Sequence, residues 1–546
     1  MRADHLSSWG YPRATSPNID RLAAEGLRFD VAQSQWPKTG PSFASMLTST
    51  YPKDNDIVRQ IGIPVPCSYT MLAEALQRAG YSTHAVVANG AVGREFYFDQ
   101  GFDTFLETWK LPPPNSDLPD ADRKRSLDET KEAMLRAEND LADPNGAENV
   151  TRLALAAAEH FSADKPWFLW VHYLDPHFPY SPPAEYRDRF QEDEYFDRET
   201  RVPITDRHQQ ELAGIGKGQV LDGEDRLGFY VARYDAEIAY VDHQIGELLG
   251  ALSGRHLMND TLTAFTSDHG ESLGEHAYYF NHGRFAFQTC LRVPLILHWP
   301  GRIAPAADPN AVQLIHLSPT LLDAAGFDLL DGRWAQGESL WPRITGRRPA
   351  TETTLSFSEG GTATHRAWIK VARDARFSLH YAPHKAEQRW ISEAGKEFAL
   401  FDLRNDPGET KDVAALHPQD AERLQRAVSK WWNADRFRCE TDTISCDENR
   451  SVDQETTDQL KALGYPDRPG RLRGLRAAVP SFRRPAAGAA SRRGATPDRE
   501  QRAHGAFRRA CREHSDHERS GRRENPPGVV AEAGAGAAES RKSSCR

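Results

Sequence analysis

Long apolar runs are missing from this 546-residue chain. The longest fall far short of the roughly 20 residues that cross a bilayer, so no membrane span is expected in it. An apolar leader is missing too, because Met1-Arg-Ala-Asp-His5 has no hydrophobic stretch of the kind an export signal carries. Any such signal would lie upstream of Met1, and a periplasmic or extracellular location would depend on it. Cysteine is scarce: six residues, at 67, 290, 439, 446, 511 and 545. No Cys-x-x-Cys pair suggests zinc. Cys439 and Cys446 are spaced either to close a small loop in an oxidising compartment or to stand as two free thiols. A basic stripe is absent from the body of the chain. The net charge is −10. The segment after Tyr465 holds about 19 basic and about 9 acidic residues, so the body carries roughly twenty negative charges. That argues against nucleic acid as the main partner. What is present is 39% hydrophobic residues, enough for one large domain plus a smaller one.

The chemistry concentrates in Thr266-Ser-Asp-His-Gly-Glu-Ser-Leu-Gly-Glu-His276, followed by Asn281-His282-Gly283. Before it, Thr261-Leu-Thr-Ala-Phe-Thr266 reads as a buried strand. Asp268 and His269 then stand just past the strand's C-terminal end, the edge where open α/β sheets bind ligands. A carboxylate, an imidazole and two further histidines suit a divalent metal that handles oxyanions. Elsewhere, short apolar strands (84–88, 167–172) alternate with amphipathic helices (71–78, 149–161, 227–252). This pattern implies a mostly parallel sheet with helices on both faces. After Pro349 the pattern changes to hairpin strands at 368–372 and 376–380, a strand at 401–403 and a helix at 420–432. Residues 110–145 and 185–225 are charged excursions.

The run SDHGESLGEH, then NHG, Leu291-Arg-Val-Pro-Leu-Ile296 and Pro300-Gly301, resembles a signature of the sulfatase family, within the alkaline phosphatase superfamily. Further matches follow in order: RADHLSSWGYPRATSPNIDRLAAEG, PSFASMLTSTYP, YLDPHFPYSPP, YDAEIAYVD, LSPTLLDAAG and FDLRNDPGE. The resemblance covers roughly residues 1–465. It implies an alkaline-phosphatase-like α/β catalytic domain over 1–349 and a small α+β subdomain over 350–465. Residues 466–546 are too polar and Pro-, Gly- and Arg-rich to fold, and read either as a basic tail or as out-of-frame translation. In the family, a strand ending in a metal-binding Asp precedes the segment matching Arg2-Ala-Asp-His5, so Met1 is expected to be an internal residue of the natural protein.

The resemblance also assigns roles. Sulfatases carry Cys-x-Pro-Ser-Arg, whose Cys becomes formylglycine. Here Thr39 stands at the Cys position and Phe43 at the Arg position. Thr39 cannot become formylglycine, so none is expected. Related phosphotransferases and phosphodiesterases use a metal-bound Thr as nucleophile, and Thr39 either does the same or caps the helix that follows. Asp268, His269 and Thr39 match metal-ligand positions. Calcium is the usual ion in the family, while an imidazole at 269 favours manganese, zinc or magnesium. His177 and His282 are the expected acid–base or oxyanion partners, and Lys38, Asn89 and His276 the expected substrate contacts. Asp235, Glu237 and Asp242, on one long helix, read as structural charges. The function implied is metal-dependent hydrolysis of sulfuric or phosphoric esters of small molecules or glycans. The alternatives are phosphoryl transfer through Thr39 and an inactive ester-binding protein.

Overall fold

The computed structural model describes residues 1–57, 63–110, 146–159, 161, 165–191, 193–205, 214–327, 335–347, 355–361, 369–392, 395–434 and 450–462. The excursion at 111–145, the tail at 466–546 and Cys439, Cys446, Cys511 and Cys545 lie outside them. The elements that matter for the site are α1 (Pro17–Glu25), β1 (Leu27–Gln33), α2 (Thr39–Thr48), α3 (Leu72–Arg78), β2 (Ser82–Val87), β3 (Thr104–Glu107), α4 (Ala147–Ala158), β4 (Trp167–His172), α5 (Leu227–Gly254), β5 (Thr263–Thr266), β6 (Arg292–His298), β7 (Ala306–Gln313) and α6 (Leu317–Ala324). The C-terminal part adds β8 (Ser356–Gly360), β9 (Ile369–Arg373), β10 (Phe377–Tyr381), β11 (Phe398–Asp402) and α7 (Pro418–Asn433).

The sheet pairings are mostly parallel, as expected, with one antiparallel strand. One four-stranded part runs β7-β1-β6-β5, and a three-stranded part runs β3-β2-β4. All pairs in the second are parallel. In the first, β1 pairs parallel with β7, but β6 runs antiparallel to both β1 and β5. The antiparallel strand β6 is apolar at Val293, Leu295, Ile296 and Leu297, all buried. Val293, Leu295 and Leu297 pack with Phe29 and the α3 leucines, whereas Ile296 packs with Ile19, Leu22 and α5. A strand covered on both faces needs no polar alternation. A cavity of about 680 Å³ is bordered by β4 and β5, the edge strand of each part, and reaches the C-terminal ends of both.

The helix α5 is the ruler of this half. It is buried nearly continuously from Gly228 to Asp242. The three acidic residues in that buried stretch are structural ties, as expected. Asp235 accepts from Tyr11 and Arg13 and pairs with the His5 ring. Asp242 accepts the Asn18 and Ile19 backbone N–H groups at 3.0 and 2.8 Å, satisfying the open start of α1. Glu237 reaches the loop after β4.

The C-terminal strands form one antiparallel sheet, β8-β9-β10-β11. Its residues alternate: Ile369, Val371, Ala399 and Phe401 face Phe285, Phe287 and Leu291, while Ala372, Leu379 and Leu400 face Leu424 and Val428 of α7. Fully buried Arg373 ties the sheet to the rest. Its guanidinium donates to Gln33 Oε1 at 2.7 Å, the Ala286 carbonyl at 2.8 Å and Glu409 Oε1 at 3.0 Å.

Candidate active site

Every candidate residue brought together here sits at or just past a strand end, or at a helix start. Asp268 and His269 follow β5. His172 ends β4, and His177 lies in the Pro-rich loop beyond it. Asn89 follows β2. Thr39 is the first residue of α2, two residues earlier than the expected helix start at Pro41. Lys38, not Thr39, occupies the N-cap position, and no side chain caps the helix. The Thr39 hydroxyl is therefore free of that duty and stands 3.3 Å from His269 Nε2.

The tautomer of His269 follows from its partners. Its Nδ1 lies 2.8 Å from the Gly270 carbonyl, which only accepts, so Nδ1 carries the proton. Nε2 then presents a lone pair to Thr39 Oγ1 and, also at 3.3 Å, to Asp268 Oδ2. Burial pushes the imidazole down to about 3, against the pull of Asp268. Burial works to raise the Asp268 carboxyl, yet His269, the amine of Met1 and neighbouring histidines hold it below its ordinary value. Nε2, Oδ2 and Oγ1 thus converge as acceptors, with one hydroxyl hydrogen among them. That donor set fits a cation. It is small: among the described residues, no group of three or more His, Cys, Asp and Glu is placed to hold a metal ion. Ser42 Oγ donates to the Asp268 carbonyl at 2.7 Å and fixes this corner to α2.

Around that corner stand the other histidines. The His282 ring lies 4.1 Å from that of His269 and 5.4 Å from that of His177, centroid to centroid. His282 Nδ1 is 3.3 Å from Glu271 Oε1. His177 Nδ1 donates to the Phe178 carbonyl at 2.7 Å, which leaves Nε2 with the lone pair. That Nε2 is shut off from solvent and has no hydrogen-bond partner among the described residues. An orphaned acceptor in a cavity wall is where a ligand or a proton is wanted. Burial, followed by the neighbouring His282, pushes His177 below its ordinary range.

Lys38 extends past Gly283, where an added Cβ would lie 2.4 Å from its Cε. Burial and then Arg284 push the Lys38 ammonium down to about 8. Asn89 lines the cavity, but its side-chain oxygen accepts the Ala91 N–H at 2.9 Å and caps a short turn. His276 is not brought to the cluster. Its ring stacks on Phe287 at 3.6 Å, and Nε2 bonds the Gly408 carbonyl at 2.9 Å. The histidine expected as a substrate contact packs instead against the C-terminal part, and residues 276 and 277 both take positive φ.

Two residues of the cluster went unassigned in the sequence. His172 faces Phe43 edge-on at 5.1 Å, and burial pushes it down to about 4 despite Asp268. Its position as the last residue of an apolar strand was the available signal. Glu271 lies inside the Asp-His-Gly-Glu run. Burial works to raise its carboxyl, but His282 and the other histidines hold it low.

A model of the sulfatase domain matches residues 1–327, and a model of the C-terminal part of N-sulphoglucosamine sulphohydrolase matches residues 274–433. The chain belongs to the sulfatase family. Choline-sulfatase of Rhizobium meliloti is 27% identical over 426 residues, covering 73% of this chain and 77% of that protein. The phosphonate monoester hydrolase of Agrobacterium radiobacter superposes with a TM-score of 0.59 at 22% identity, over 79% of this chain and 92% of that one. A structure in complex with its substrate D-glucosamine-2-N,6-O-disulfate superposes with a TM-score of 0.59 at 20% identity, over 80% and 97%. The alkaline-phosphatase-like fold is thereby shown, and with the sulfatase family comes hydrolysis of sulfuric or phosphoric esters.

Proposed function

We propose that this sulfatase-family hydrolase opens its ester with the Thr39 hydroxyl as nucleophile, without formylglycine. The observation that carries the reading is the Thr39 side chain, which does not cap its helix and stands 3.3 Å from His269 Nε2, the same nitrogen that lies 3.3 Å from Asp268 Oδ2. Asp268, His269 and Thr39 are the residues that would hold a divalent metal, in keeping with the metal dependence general to the superfamily. Bound there, such an ion lowers the pKa of a hydroxyl and screens oxyanion charge. The neutral imidazole at 269 favours manganese, zinc or magnesium over calcium.

The rest is done by this chain's own groups. Attack forms a bond from Thr39 Oγ1 to sulfur or phosphorus and breaks the bond to the ester oxygen. The departing alcohol takes up one proton, and Thr39 gives up one. His177, whose buried Nε2 has no hydrogen-bond partner among the described residues, and the neighbouring His282 relay it. Water then cleaves the Thr39 ester and restores the hydroxyl. Lys38 and Arg284 supply positive charge for the anionic ester, small-molecule or glycan. The Cys67 disulfide suits an oxidising compartment.

Aryl sulfate, aryl phosphate and phosphodiester turnover in wild type and Thr39→Ala tests this. The expected loss on the preferred ester is roughly a hundredfold or more. Undiminished turnover in Thr39→Ala removes Thr39 from the mechanism.

A further inference from the structure

A carboxyl deep in a long helix is costly unless something pairs it. Glu237 of α5 is 2% exposed, and among the described residues no Lys, Arg or His side chain forms an ion pair with it. Its Oε2 accepts the backbone N–H of His177 at 3.1 Å, and its Oε1 accepts that of Ser181 at 2.6 Å. The loop between those residues runs Asp175-Pro-His-Phe-Pro-Tyr-Ser-Pro-Pro183. Four of its nine residues are prolines and offer no N–H, so this segment cannot pair as a strand. Its few donors need a partner from elsewhere, and both ends of one carboxyl supply it.

From this geometry we infer that Glu237 is a positioning residue for His177. It fixes the His177 backbone from below, while the Phe178 carbonyl fixes the ring by holding Nδ1. Together these leave Nε2 buried with no hydrogen-bond partner among the described residues, on a residue that lines the cavity. The same helix anchors Arg2 through the Tyr234 hydroxyl, which accepts the Arg2 N–H at 2.9 Å, and anchors the start of α1 through Asp242. So α5 sets the loop bearing His177 against the segments around the Thr39 corner as one rigid gauge. The inference rests on the reading of His177 as a proton-relaying group.

The test is a double-mutant cycle on an aryl ester, with thermal unfolding run alongside. Glu237→Gln keeps the shape but turns an NH2 toward one of the two N–H donors. Expected is a fall in kcat of tenfold or more with a smaller change in KM, and a displaced acid limb in the pH profile of kcat/KM. In a His177→Ala background, the same change is expected to cost less than twofold, and the acid limb is expected to be already absent. Equal losses in both backgrounds overturn the positioning role while leaving His177 in place. Full turnover in His177→Ala alone overturns the reading of His177, and this inference with it. If Glu237→Gln does not fold, Glu237→Asp, which keeps the carboxyl and shortens the reach, is judged by the same comparison.

Discussion

Single atoms decide the chemistry of this site. Two histidines, 177 and 269, spend Nδ1 on a backbone carbonyl and turn Nε2 inward. The proton position on each ring is thus set by the backbone, not by the substrate. Gly283 works on the same scale. Its φ of +95° lies in the left-handed region, and a Cβ there would press on Lys38 Cε, Cγ and Cδ at 2.4, 3.0 and 3.3 Å. Gly283→Ala is expected to cost about 1 kcal/mol of stability from backbone strain. It is also expected to raise KM several-fold, with less effect on kcat, by pushing the lysine off the ester. Steady-state kinetics beside a melting curve separates the two effects. These features were not legible in the sequence. The Asp-His-Gly-Glu run marked the place, but only tertiary structure reveals which nitrogen is bare, that Glu271 answers to His282, or that His276 leaves the site.

Among the elements, the strands were the most readable. Trp167–His172 has the expected ends, and β5, β9 and β10 differ from expectation by one or two residues. Apolar runs bounded by turn residues leave little freedom there. The start of α2 was less readable: Pro41 suggested the first turn, whereas the helix begins at Thr39, and that shift frees the hydroxyl from capping. The antiparallel β6 was not legible at all, since an apolar strand buried on both faces carries no mark of direction. The C-terminal sheet hangs on Arg373 and Glu409. Burial works to raise the Glu409 carboxyl, but Arg373 and His380 hold it down to about 2. A carboxyl lowered on folding stabilises fully above its unfolded pKa, near 4.5. That contribution is lost as pH falls from there toward 2. The loss is about 3 kcal/mol in order of magnitude. Urea unfolding between pH 6 and roughly pH 3 is expected to show this decline in wild type and a flatter profile in Glu409→Gln. Parallel profiles would take Glu409 out of the account.

At the scale of the molecule, Lys38, Arg284 and four histidines gather near the Asp268 and Glu271 carboxylates in a chain of net charge −10. Ordered motifs running through both the catalytic and the C-terminal parts made the family legible from sequence. Thr39, which the resemblance sets at the family's Cys position, then made the mechanism the open question. The most direct measurement is an acid quench during turnover of the preferred aryl ester, followed by peptide mass mapping. The account predicts one sulfo or phospho group on the peptide bearing Thr39, absent from Thr39→Ala. Sustained turnover with no adduct on that peptide, together with full activity in Thr39→Ala, would contradict it.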